Sequence, residues 1–394
     1  MRTIGVVTTS RADYGTCLPI LRRIAADPDL RLHLIVGGLH LSPEFGLSVS
    51  AIEADGFDIS ERVEMLLSSD TPEGIAKSMG LGTVGYAQAY GRHKPDILLV
   101  IGDRFEMHAA ALAALPFKIP VAHLHGGELT EGAIDDALRH SITKLSHLHF
   151  VSSQEYGRRV EQLGEEPWRI TVCGAPALDN LGSIDLVSIQ ELESRLAMSL
   201  DKAPLVVTYH PVTLEYEQTE WQVTELLEAL LEWDFPVVFT MPNADTKGRI
   251  VHQMLSNYVE TNPNCCLVDN LGTQYYVSLL AQAAAMVGNS SSGMVEAAPF
   301  RLPVVNIGTR QKGRIRTENI IDVGYHKKEI NKGIKKAVSK DFRDGLSEIS
   351  NTLGDGNAAE RIVCVLKETS LDQRLLTKQF MDIPELLDQP VSSA

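Results

Sequence analysis

Between residues 99 and 147 the chain gathers a dense set of groups that exchange protons or carry charge: Asp103, Arg104, Glu106, His108, His123, His125, Glu128, Glu131, Asp135, Asp136, Arg139 and His140. The apolar runs 97–101 and 119–124 that precede them read as consecutive buried strands, so Asp103 and Glu128 fall just past strand ends. In open α/β sheets the carboxyl ends of parallel strands are where loops present polar groups above an apolar floor. Carboxylates placed there can take and return protons, or organise sugar hydroxyls. Helix capping is the competing use, because Asp135 and Asp136 open an amphipathic helix and suit its dipole.

Further along, Tyr209-His210-Pro211 ends an apolar run, which sets His210 at a strand edge in either a structural or a catalytic capacity. The run Gly288-Asn289-Ser290-Ser291-Ser292-Gly293 leads from a strand into a helix whose early turn carries Glu296. Small hydroxyl residues at a helix start suit a diphosphate, because unpaired N–H groups and the positive end of the dipole point at the ligand. An N-cap with Glu296 as its capping-box partner fits the same residues. Arg310, Lys312, Arg314 and Arg316 crowd the loop after the next strand, which makes it an anion contact or a solvated loop. The first polar turn, Ser10-Arg11-Ala12-Asp13-Tyr14-Gly15, is another place where phosphate can meet a helix N-terminus, although it is not a GxGxxG fingerprint.

The elements that must position these groups alternate regularly. Strands are expected at 4–9, 32–36, 63–66, 97–101, 121–124, 149–152 and 170–172, and after a pause at 205–209, 237–241, 266–268, 286–287 and 304–307, with helical patterns between. Such alternation predicts an α/β protein of two doubly wound, Rossmann-like sheets. The expected domains are 1–180 and 181–357, with 358–394 a C-terminal helix (358–380) crossing back to the first domain, and a tail. A polar helix is expected over 188–200.

At 394 residues the chain suits two domains of roughly 150 residues or more. Its 44% hydrophobic and 22% charged residues are those of a globular protein. A net charge of −15 argues against nucleic acid and anionic membranes as partners, and no apolar run is long enough to span a bilayer. Met1-Arg2-Thr3 leads directly into an expected strand, so no signal peptide is expected. Five cysteines without metal-ligand spacing point to a reduced, cytoplasmic chain, and no metal site is visible.

Taken together, SRADYG, GDRFE, HLHGGE with EGAIDDALRHSITKLSH, YHP, MPNAD, GNSSSGMVE and NIGTRQKGR resemble the hydrolysing UDP-N-acetylglucosamine 2-epimerases of sialic-acid synthesis. The motifs fall in order from residue 10 to about 320, so the resemblance covers most of the chain. It implies a GT-B-like pair of domains facing a cleft, and elimination of UDP from a UDP-2-acetamido sugar to a 2-acetamidoglucal that is then hydrated to the N-acetylmannosamine-type product. Carried over by motif, Asp103 and Asp135 match acid/base carboxylates and His210 the cleft histidine. Arg11, Ser290, Ser291, Glu296 and Arg310 match nucleotide contacts, with Glu296 on the ribose; Asp13, Arg104, Asn243 and Ser292 join the candidate UDP-sugar contacts. Where members such as the animal enzyme have a glutamate two residues after the strand histidine, this chain has His125, and the nearest carboxylate is Glu128. Both are candidate catalytic residues: either His125 takes over that proton transfer, or Glu128 reaches the site, or the substrate's ring substituents differ, with His125 expected to tune the position and Glu128 to supply the charge.

The resemblance implies no cofactor, a UDP-sugar as the small-molecule partner, and a homo-oligomer, dimer or tetramer. UDP-N-acetylglucosamine and UDP-N,N'-diacetylbacillosamine both stand as substrates. A retaining glycosyltransferase, which would need an acceptor, and a nucleotide-sugar-binding regulator without turnover are the competing functions.

Overall fold

The computed structural model describes residues 1–382 except 183, 242–244, 348, 350 and 351. Seven strands form the first sheet: β1 Arg2–Thr8, β2 Leu30–Gly37, β3 Ile59–Val63, β4 Ile97–Ile101, β5 Val121–Leu124, β6 Leu148–Val151 and β7 Ile170–Val172. Their order is β3-β2-β1-β4-β5-β6-β7, and every pairing is parallel. The second sheet contains β8 Leu205–Thr208, β9 Val237–Thr240, β10 Cys265–Val268, β11 Ala285–Gly288, β12 Val304–Ile307 and β13 Ile320–Val323, again all parallel, in the order β10-β9-β8-β11-β12-β13. Central strands such as β4, buried at all five positions, read as continuous apolar runs because helices cover both faces of the sheet. Both sheets reverse their winding beside their first strand, between β1 and β4 and between β8 and β11. Crevices at such switch points are where doubly wound folds bind ligands.

The helix Ala358–Glu368 buries Ala358, Ala359, Ile362 and Leu366 in the core of the first sheet. Arg23 to Glu360 at 3.1 Å and Lys367 to Asp27 at 2.9 Å tie it to the helix Arg11–Ala26 and its C-cap. It stops earlier than the expected 380. A short helix, Gln373–Leu376, follows with Asp372 as its N-cap, and the segment is held by buried Arg169, which donates to the carbonyls of Leu375 at 2.9 Å and Arg374 at 2.8 Å. Serine and aspartate between the two apolar stretches offer the backbone a local alternative to continued helix.

Other boundaries differ for equally local reasons. β3 occupies 59–63 rather than 63–66 because this edge strand buries alternate residues, a weaker signal than the apolar Val63, Met65 and Leu66. β13 was not expected; only Ile320 and Ile321 mark it, at the other sheet's edge. The polar helix is Ile189–Leu196, closed by Ala197 in the left-handed region at φ 52°. Among the described residues, no helix is long and apolar enough to cross a membrane.

Candidate active site

Residues from both switch points line one cavity of about 760 Å³. The first sheet contributes Arg11 and Asp13 from the turn after β1, Asp103 and Arg104 after β4, His125 and Glu128 after β5, and Asp135 and Arg139 from the helix Asp135–Leu145. The second contributes His210 after β8, Ser290, Ser291, Ser292 and Glu296 after β11, and Arg310 and Arg314 after β12. Asn243 lies outside the described residues.

Several candidates are occupied by the protein itself. The Asp13 carboxylate accepts the backbone N–H groups of Thr9 and Ser10 and the hydroxyls of Thr8 and Thr9, closing a capping box with Ser10. It therefore shapes the turn that carries Arg11, and its oxygens are spent. Arg104 donates to Glu106 at 3.0 and 3.1 Å and, across the cleft, to Asp245 at 3.1 Å. Asp136 accepts the Thr130 N–H at 2.6 Å, so it secures the loop before its helix. Glu296 sits at the C-cap of Ser291–Val295, where it cannot serve as a capping-box partner; Ser290 caps that helix by accepting the Ser292 N–H. Burial raises the Glu296 carboxyl.

Asp103 pairs with Arg139, whose side chain is buried and whose Nε and Nη1 have no partner among the described residues. Arg310 donates from Nη1 to the Asn289 carbonyl at 3.2 Å, and among the described residues its Nε and the Nε of Arg314 have no partner. Buried guanidinium N–H groups of this kind suit a doubly charged phosphate ligand. Burial and the nearby Asp245 carboxylate raise Asp135, outweighing Arg310 and Arg104, so it keeps its proton above the ordinary carboxylate range. The two carboxyls also share a small void lined by Phe105, Ile134 and Thr213.

The ends of β8 and β11 are joined through Asn289, which accepts the His210 N–H at 2.7 Å and donates to its carbonyl at 2.8 Å. Burial and neighbouring Arg310 lower the His210 imidazole to about 3, so it is neutral. Glu128 behaves oppositely. Burial works against its charge, but Arg314 at 2.7 Å and His125 Nδ1 at 2.7 Å hold it as a carboxylate, lowered to about 2. A carboxylate fixed this firmly is a poor proton carrier near neutrality. His125 has φ 68°, and Gly127, two residues on, has φ 76°.

Arg139 and Arg314 stand in the sequence only among clusters of charged groups, and Asp245 only within a motif; none of the three carries an assigned site role there. Arg139 stands one turn after Asp135, a spacing that shares a helix face and is a usable signal. Arg314 is one cation among four in its loop, and Asp245 closes the MPNAD motif, from which only Asn243 was taken as a contact.

The family model for UDP-N-acetylglucosamine 2-epimerase matches residues 22–367. The chain belongs to that family of enzymes. Within it, the chain is 40% identical over 385 residues to a GDP/UDP-N,N'-diacetylbacillosamine 2-epimerase (hydrolyzing) of Campylobacter jejuni, covering 97% of this chain and 99% of the relative. It is 35% identical to the UDP-N,N'-diacetylbacillosamine 2-epimerase (hydrolyzing) of Legionella pneumophila, covering 96% and 99%. The polysialic acid biosynthesis protein P7 of Escherichia coli is 34% identical, over 98% of both. In fold, the chain matches the UDP-GlcNAc 2-epimerase of Neisseria meningitidis, solved with UDP-GlcNAc bound, with a TM-score of 0.79 and 17% identity over 94% of this chain and 100% of that one. This 2-epimerase thus has the two-domain, GT-B-like architecture that its motifs implied.

Proposed function

We propose that this 2-epimerase eliminates UDP from a UDP-2-acetamido sugar, hydrates the resulting 2-acetamidoglucal, and releases the free manno-configured sugar, with UDP-N,N'-diacetylbacillosamine as its substrate. The observation that carries this reading is the meeting of Asp103, Asp135 and His125 with buried Arg139 and Arg310 and with Arg314 in one cavity. The choice of sugar is supported by the names of the two hydrolysing relatives at 40% and 35% identity. UDP-N-acetylglucosamine is the second reading, favoured by a 30% identical Neisseria meningitidis relative named for it.

The N-terminus of Ser291–Val295, together with Arg11, Arg139 and Arg310, holds the diphosphate, and Glu296 takes the ribose. The C2 proton is not acidic in the ground state, so C1–O cleavage runs ahead and the oxocarbenium character that develops acidifies C2. The arginines stabilise the departing UDP. Asp103 takes the C2 proton, and Asp135, whose carboxyl is raised to about 6, returns one to C2 of the glycal. We assign residues 1–180 to the sugar-side domain, 181–357 to the nucleotide-side domain and 358–394 to the returning helix and tail, an assignment supported by the two separate sheets and the packing of Ala358–Glu368 on the first.

Turnover of both UDP-sugars is compared without acceptor, in deuterium oxide and in 18O-water, with early products followed by NMR. Deuterium at C2 of a manno-configured sugar, 18O at its anomeric carbon and unlabelled UDP are expected. A product without C2 deuterium, or a requirement for an acceptor, overturns the reading.

A further inference from the structure

Hydration asks for one proton transfer more than Asp103 and Asp135 cover. Removing the C2 proton and returning another occupies both, yet the water that bonds to C1 must also lose a proton. His125 lines the cavity, and its Nδ1 is committed to Glu128 at 2.7 Å, so Nε2 is the ring nitrogen left for a ligand. Glu128 is engaged at both oxygens: Oε1 by His125 and by the Ser152 hydroxyl at 3.3 Å, Oε2 by Arg314 at 2.7 Å. A carboxylate that fixes one imidazole nitrogen sets the tautomer and aims the other, which is how histidine bases are oriented for proton transfer from water or hydroxyls. The left-handed backbone of His125 is a conformation that non-glycine residues adopt only where their surroundings impose it.

We propose, resting on the elimination–hydration reading above, that His125 is the base that activates water for addition to C1, and that Glu128 is its positioning residue, braced by Arg314 from the other domain. In this step the π pair of the glycal forms the new C2–H bond with the proton of Asp135. The water oxygen bonds to the electron-poor C1 as one of its protons passes to Nε2, leaving imidazolium and an Asp135 carboxylate. Exchange with solvent resets both, and Asp103 loses the proton it took during elimination. Because Arg314 belongs to the second domain, the base is fully oriented only when the two halves are together.

Glycine adopts the left-handed conformation without strain, so His125→Gly is expected to keep the fold and to open space for added imidazole. The unaltered enzyme is assayed first; failure to form a manno-configured sugar from either UDP-sugar overturns the underlying reading, and this inference with it. With the unaltered enzyme active, His125→Gly is expected to bind UDP normally and release it while the glycal accumulates, with hydration slowed about 100-fold or more. Added imidazole is expected to restore hydration at least about tenfold. Glu128→Gln is expected to lower kcat for hydration with little change in KM, and His125→Gly/Glu128→Gln to lose the imidazole rescue. Hydration by His125→Gly at the unaltered rate, or a folded, UDP-binding His125→Gly that imidazole does not rescue, overturns the proposal. Equal rescue with and without Glu128 overturns the positioning role.

Discussion

Asp103 touches buried Arg139 and faces the cavity, so substitution by asparagine keeps its size while deleting its ability to accept a proton. Asp103→Asn is expected to lower kcat by about 10²–10⁴ with UDP affinity nearly intact, read by turnover and calorimetry on the same preparation. Arg310→Ala acts on binding instead: loss of a buried charge-assisted contact is expected to weaken UDP by roughly 1.5–3 kcal/mol, and unchanged calorimetric affinity places Arg310 outside the nucleotide site. Asp135 supplies a pH dependence. Because its carboxyl is raised by burial and by Asp245, the proton-donating form persists above the usual range, and kcat falls as pH rises through that raised value. Asp245→Asn removes the neighbouring charge while keeping an oxygen for Arg104, so the falling limb of the kcat profile is expected to move to lower pH.

The loop after β5 illustrates how an element aims its side chains. A β-carbon on Gly127 would lie 2.2 Å from the Tyr156 carbonyl oxygen, and its φ of 76° already disfavours any other residue. Gly127→Ala is therefore expected to destabilise the protein by about 2 kcal/mol or more in denaturant unfolding, and to lower kcat by displacing His125 and Glu128. An alanine variant as stable and active as the parent would show that the loop is not held by this approach. The second half has a parallel device: a β-carbon on Gly288, at the end of β11, would lie 2.0 Å from the Thr208 carbonyl of β8, which lets the two strands and the Asn289 bridge meet below Ser290.

Across the whole molecule the two halves meet through buried charge. Arg104–Asp245 and Glu128–Arg314 cross the cleft, and beside them the Ile315 N–H donates to the Tyr156 hydroxyl at 3.1 Å and the Ile134 N–H to Thr213 at 2.9 Å. Removing one partner of a buried pair leaves the other charge uncompensated. Arg314→Ala is thus expected to cost about 3–5 kcal/mol, seen as a lower Tm. The pH sign follows from the depressed Glu128: its contribution is complete above its unfolded value of about 4.3 and is lost as pH falls toward its folded one, so the Tm gap between parent and variant narrows with acidification over that window. A gap independent of pH there contradicts the pairing.

Buried parallel strands such as β4 declare themselves in the sequence because their apolar runs are continuous, and strand–helix alternation then specifies two doubly wound sheets. The edge strands β3 and β13 did not, since one covered face leaves a weak pattern. Residue types just past strand ends nominated Asp103 and Glu128, and the basic loop after β12 nominated Arg310, for the same topological reason, whereas Asp135 and His125 were marked by the motif resemblance. Tertiary structure alone decided which of them remain available to a ligand. Asp13 is consumed by its own turn, Arg104 by Glu106 and Asp245, and Glu128 by His125 and Arg314, partners as far as 186 positions away in the chain (314 − 128). Proton affinity and hydrogen-bond saturation depend on burial and on charges brought close across the cleft, and neither quantity is local in sequence.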